Sequence, residues 1–202
     1  RRLVVGDDSL EVAATLNSIG LVLYKMKKYS LALDVFIKSL RIRRNQLGHK
    51  HRDVAIILYN IGAVYLESGD DDEAFKTFQE TLRVERTVLG SDSPDVATTL
   101  QHMGQIQQQR GHLKEALGYF EESLAIRYRI SESDDDSIKI ARILNHIGNI
   151  FLQLRETTKM MKMFTKALRI YRRMGRPDSE LVVQGFNCYF MPLCRPQAAA
   201  TA

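Results

Sequence analysis

The chain has no tryptophan, two cysteines and four prolines in 202 residues. Two cysteines cannot staple a small disulfide-built domain. No run of 18 apolar residues occurs, so no segment reads as a transmembrane helix. Residues 1–30 lack the ordered charged start, apolar core and small-residue site of a secretory leader. The patterns G-x-x-x-x-G-K-[ST], H-E-x-x-H, G-x-S-x-G and C-x-x-C are all missing. The sequence therefore offers no catalytic residue, no cofactor motif and no metal ion site. Cys188 and Cys194 have no base placed beside them by pattern and read as incidental thiols. What is present is 45% apolar residues, too many for a disordered chain. Charged residues make up 26%, with a net charge of +5. The expectation is a soluble, mildly basic chain of the cytoplasm, without membrane insertion or a small-molecule substrate.

An internal repeat dominates the rest. Ile19-Gly20, Ile61-Gly62, Met103-Gly104 and Ile147-Gly148 align at spacings of 42, 42 and 44. Around these glycines the same residues recur. Leu16, Leu58, Leu100 and Leu144 lie four before; Ala13, Ala55, Ala97 and Ala141 lie seven before. Ala32, Ala74, Ala116 and Met160 lie twelve after, and Phe36, Phe78, Phe120 and Phe164 sixteen after. Leu40, Leu82, Leu124 and Leu168 follow at twenty. These offsets are helical stripes, with none of the alternation a strand needs. Each unit therefore reads as two helices, and the glycine column as the place where two helix backbones come close. The second-helix Phe and Leu should fill space toward the next unit. Gly69 and Gly111 mark the turn inside two units. Lys27 and Arg155 stand there in the others, so those turns read as less marked. Ser93-Pro94-Asp95 reads as N-cap, first helical position and first-turn acid. The long Met160 at a close-packing column suggests a looser last unit.

This pattern of Leu, Gly, Ala, Phe and a small residue (Ser39, Thr81, Ser123, Ala167) resembles the tetratricopeptide repeat (TPR). The junction Leu89-Gly90-Ser91-Asp92-Ser93-Pro94-Asp95-Val96-Ala97 is similar to the 42-residue repeats of kinesin light chains and nephrocystin-like proteins. The resemblance implies an all-α fold, an α-α superhelix (TPR solenoid) of antiparallel helix pairs. The expected division is 1–6 as the end of a preceding repeat, then 7–48, 49–90, 91–134 and 135–176 as four repeats. Residues 177–202 are expected to be a partial C-terminal helix and tail. Arg1 to Gly6 is in phase with Arg43 to Gly48, so the chain is expected to be a piece of a longer array.

On the first helix of each unit a second stripe carries amides. It holds Asn17, Leu21 and Tyr24; Tyr59, Ala63 and Leu66; Gln101, Gln105 and Gln108; and Asn145, Asn149 and Leu152. The neighbouring column is Ser18, Asn60, His102 and His146. By resemblance this stripe lines a concave groove, where amides can pair with the backbone of an extended peptide. The candidate groove residues are Asn17, Tyr24, Tyr59, Asn60, Gln101, His102, Gln105, Gln108, Arg142, Asn145, His146 and Asn149. The Lys and Asn clamp that binds chaperone C-termini in some family members is not matched, whereas Arg142 leaves room for an acidic ligand. His49 and His51 flank a junction without further ligands at metal-site spacing and read as solvated loop residues; His112 reads as a plain turn residue. Arg41, Arg43 and Arg44, with later copies such as Arg83, Arg86, Arg127 and Arg129, fall in the last turns of helices. There they complement the helix dipole and pair between units. With no interleaved aromatics for base stacking, nucleic acid is disfavoured.

The expected function is a non-enzymatic scaffold for protein or peptide partners, acidic ones among them. Its sharper form is a kinesin-light-chain-like cargo adaptor. The alternatives are a regulatory array of a larger signalling or NTPase protein and an RNA-binding α-solenoid.

Overall fold

The structure is a computed structural model that describes residues 8–131 and 134–175, the side chains of 134–136 excepted. The expectations for residues 1–6 and 177–202, with Cys188 and Cys194, lie outside the described residues. Among the described residues there are eight α-helices and no strand. They are α1 (Leu10–Lys25), α2 (Tyr29–Leu47), α3 (Arg52–Ser68), α4 (Asp71–Leu89), α5 (Pro94–Gln109), α6 (Leu113–Ile130), α7 (Asp134–Gln153) and α8 (Thr157–Arg173). Among the described residues no helix is long and apolar enough to cross a membrane. The chain divides into two compact units, residues 1–126 and 127–202.

The helix starts follow from short-range chemistry. The hydroxyls of Ser9 and Ser93 accept from the backbone N–H of Val12 and Asp95, each at 3.2 Å. The Asp70 carboxylate accepts from Glu73 N–H at 3.2 Å. Pro94 sits at the start of α5, as Ser93-Pro94-Asp95 predicts. His51 is not a solvated loop residue: its Nδ1 accepts from Asp53 N–H at 3.1 Å and caps α3.

The turns inside the helix pairs are all of one kind. Lys27, Gly69, Gly111 and Arg155 have φ of 57°, 85°, 79° and 59°. In each, this residue's N–H bonds the carbonyl three back, and the next N–H bonds the carbonyl five back. That is the paired hydrogen-bond ending that satisfies the last carbonyls of a helix. The turns at Lys27 and Arg155 are therefore as well formed as those at glycine, against the sequence expectation. Two flanking hydrogen bonds hold a left-handed residue that a side chain disfavours by about 1–2 kcal/mol.

The glycine column does what its spacing implies, but with a nearer partner than expected. A Cβ on Gly20, Gly62, Gly104 or Gly148 would lie 2.5, 2.9, 3.1 or 2.6 Å from the ring of Phe36, Phe78, Phe120 or Phe164. Each ring thus packs on the glycine of its own helix pair. The small column adds a polar tie. Ser39 Oγ donates to Ala13 O at 2.7 Å, and Ser123 Oγ to Ala97 O at 2.6 Å, both buried. Within residues 1–126, α1 packs on α2, α3 on α4, α2 on α3 and α4 on α5. The first helix of each pair is most buried in the middle of this unit: Ile61 is 5% exposed, whereas Ile19 in the same column of α1 is 44% exposed.

In the second unit α7 packs against α8. Met160 is as buried as Ala32, Ala74 and Ala116, so this column is not loosened by its longer side chain. An unbranched thioether adapts to a gap that a branched residue would not fit.

Candidate peptide-binding face

The amide stripe of the first unit is carried by α1, α3 and α5, the first helices of successive pairs. Residues three and four apart on a helix share a face, so Asn17, Leu21 and Tyr24 form one row and Tyr59, Ala63 and Leu66 the next. The structure brings the rows together. Asn60 Nδ2 donates to Asn17 Oδ1 at 2.9 Å, linking α3 to α1. The Tyr59 hydroxyl and His102 Nε2 are 2.9 Å apart, linking α3 to α5. His102 Nδ1 and Gln105 Oε1 are 3.0 Å apart on α5 itself. The His102 ring lies parallel to that of Phe78, with centroids 5.3 Å apart.

Burial lowers the pKa of His102, with only partial opposition from Gln105 and Glu67. The ring is thus neutral at neutral pH. A proton on Nδ1 donated to Gln105 leaves Nε2 to accept from the Tyr59 hydroxyl. Tyr59 is correspondingly held as the phenol, its pKa pushed up to about 12 by burial first and then by Glu85. Tyr59, Asn60 and His102 of this set line a pocket of about 200 Å³ together with Leu21, Tyr24, Ala63 and Glu67 among others. Gln101 and Gln108 lie half-buried on α5 outside this set.

Arg142, Asn145, His146 and Asn149 belong to α7 in the second unit. Their spacing of three and four puts them on one face of that helix. Arg142 is exposed and His146 and Asn149 are half-buried. Asn145 is 3% exposed, and neither atom of its amide has a hydrogen-bond partner.

Spacing alone did not give the partners of Gln107, and it gave the pairing of arginines between units without naming the acids. Gln107 stands where other units have Leu23, Tyr65 and Phe151, and it is buried. Its Nε2 donates to Glu115 Oε2 at 2.5 Å, and its Oε1 lies 3.3 Å from His112 Nδ1. His112 is therefore a partner of the buried amide, not a plain turn residue. The arginines form bridges across helix pairs: Arg44 to Glu80 at 2.8 Å and Arg86 to Glu122 at 2.5 Å, one repeat apart. Arg43 pairs with Asp53 at 2.8 Å across the junction of α2 and α3. Among the described residues no group of three or more His, Cys, Asp or Glu is placed to hold a metal ion.

Sequence models of the tetratricopeptide repeat match residues 11–87, 53–129 and 141–176. No curated protein matches the chain as a relative. Among solved structures, BtubC (BKLC) from P. vanneervenii is similar over 81% of this chain and 64% of its own, with 18% identity and a TM-score of 0.76. Nearly identical TPR-like repeats from Podosopora anserina, of a protein named for kinesin light chain, are similar over 93% and 99%, with 13% identity and a TM-score of 0.59. The Rap conjugation gene regulator of plasmid pLS20, in complex with the Phr* peptide, is similar over 91% and 47%, with 16% identity and a TM-score of 0.67. The chain thus spans under two thirds of the length of BtubC and about half of the Rap regulator. Repeat columns, helix pairs and matched sequence models agree, and the chain belongs to the tetratricopeptide repeat family.

Proposed function

We propose that this chain is a non-catalytic interaction scaffold of the cytoplasm whose α1, α3 and α5 face binds an extended peptide segment of another protein. The carrying observation is the cross-helix set Asn17–Asn60 and Tyr59–His102–Gln105, of which Tyr59, Asn60 and His102 line a pocket of about 200 Å³. Hydrogen bonds between side chains of successive helices fix these rotamers before any ligand arrives. A preorganised face loses less side-chain entropy on binding than a floppy one. Neutral Asn, Gln, Tyr and His groups offer both donors and acceptors, which suits peptide backbone better than a single ligand charge. The Rap regulator, similar to this chain over 47% of its own length, is in complex with a peptide, which supports the reading. The cargo-adaptor form rests on the 42-residue spacing and on the fold shared with repeats named for kinesin light chain.

Selection of unstructured decapeptides displayed on phage tests this. Selected peptides are expected to lose at least tenfold in affinity for a chain carrying Asn60→Ala and Gln105→Ala. Peptides that bind the double variant as tightly as the parent, or a selection that yields none, would overturn the reading.

A further inference from the structure

Two successive junctions in the first unit use the same columns with opposite charge. At the first, Arg43 at the end of α2 meets Asp53 at the start of α3 at 2.8 Å. One repeat later those columns hold Glu85 on α4 and Asp95 on α5. The cation has been replaced by a second acid. Glu85 is 3% exposed, and its Oε2 has no hydrogen-bond partner. It lines a pocket of about 310 Å³ with Arg52, Ile56 and Tyr59 of α3, Leu89 of α4 and Asp95 of α5. Arg52 makes no ion pair with either acid and is exposed.

A buried carboxylate with an unpartnered oxygen and no cation beside it in an ion pair is costly, since such groups are normally paired or fully hydrogen-bonded. Here burial pushes the Glu85 pKa up to about 7; Asp95 adds to the rise and the Thr99 hydroxyl opposes it. A guanidinium in the pocket would recreate what Arg43 supplies at the first junction. The pocket also adjoins the face described above. Arg52, Ile56 and Tyr59 continue the row of Ala63 and Leu66 at helical spacing, and Tyr59 lines both pockets.

We propose that the pocket between α3, α4 and α5 receives one arginine side chain of the bound peptide, held by Glu85 and Asp95 with its stem against Ile56 and Leu89. This rests on the peptide-binding reading and gives it a specificity: a basic side chain at one position, in contrast to the acidic ligand that Arg142 brings to mind. Arg52 sets a limit, since its positive charge at the rim opposes the same ligand.

The test is a titration of the ¹⁵N-labelled chain at pH 8 with the peptide acetyl-Ala-Ala-Arg-Ala-Ala-amide and its Gln-for-Arg counterpart. The Arg peptide is expected to shift the backbone amides of Arg52, Tyr59 and Thr98 saturably and to bind at least tenfold more tightly than the Gln peptide. Glu85→Gln should remove that preference, and Arg52→Ala should strengthen Arg-peptide binding two- to threefold. Equal binding of both peptides on the α1, α3 and α5 face would overturn the pocket assignment and leave the peptide-binding reading standing. So would an unchanged preference in Glu85→Gln. Binding of neither peptide would overturn both.

Discussion

The α2–α3 and α4–α5 junctions share a backbone and differ in charge. In both, a glycine with φ near 80° and ψ near 170° links the helices: Gly48 (79°, 173°) and Gly90 (81°, 167°). The helix pair leading into each is also alike: Phe36 of α2 packs on Gly20 of α1, and Phe78 of α4 on Gly62 of α3. Yet one junction closes on an Arg–Asp pair, whereas the other leaves two acids beside a pocket. The fold is therefore set by shape, through small residues under aromatic rings, and not by the charge at the junction. That leaves the charged column free to vary from repeat to repeat, which is where a solenoid can become specific without changing its packing.

The largest effects are expected where the two helix pairs are alike. Phe78→Ala should cost about 3–5 kcal/mol by chemical denaturation, since it empties the space above Gly62 and removes the ring beneath His102. Phe36→Ala, over Gly20 in the more exposed first pair, should cost less. Equal costs would mean that stacking adds nothing.

Smaller, pH-dependent effects are expected where the junctions differ. An acid whose folded pKa is raised has its stabilising share at low pH and loses it as pH rises through the folded value. For Glu85 that window runs from 4.5 to about 7. Glu85→Gln should therefore stabilise the chain on the order of 2 kcal/mol at pH 8 and hardly at all at pH 4. Denaturation at both pH values checks this, and a gain independent of pH would point to packing rather than charge. Arg43→Glu, which copies the second junction onto the first, should cost about 1–3 kcal/mol at pH 8, because it removes the partner of Asp53.

The smallest effect concerns the turns. Lys27→Gly should stabilise by about 0.5 kcal/mol, the relief of a left-handed side chain less the extra freedom of glycine in the unfolded chain. The same change at Arg155 should match it.

Much of this architecture was legible because a packing column repeats every 42 residues and a helix reports its buried face in its period. Gly62 and Phe78 could each be assigned to a helix from spacing alone. Their mutual contact could not, since spacing does not say which helix a ring leans on. The amide stripe was legible as a row; the Asn60–Asn17 and Tyr59–His102 links needed the helices set side by side. The turn at Lys27 was underrated because residue type is only a prior, and two hydrogen bonds outweigh the penalty of a side chain there. The inversion at Glu85 did leave a signal: Arg43, Glu85 and Arg127 share one column. A search for arginines alone passes over the acid between them.

The most direct test of the account is the ionisation of Glu85, followed through its ¹³C-labelled side-chain carboxyl. The account predicts titration near pH 7 in the free chain, with a clear downward shift when the Arg peptide is bound and none with the Gln peptide. Titration at the ordinary 4.5 in the free chain would contradict it, because Glu85 would then ionise without cost and its carboxylate would have no need of a guanidinium from a ligand.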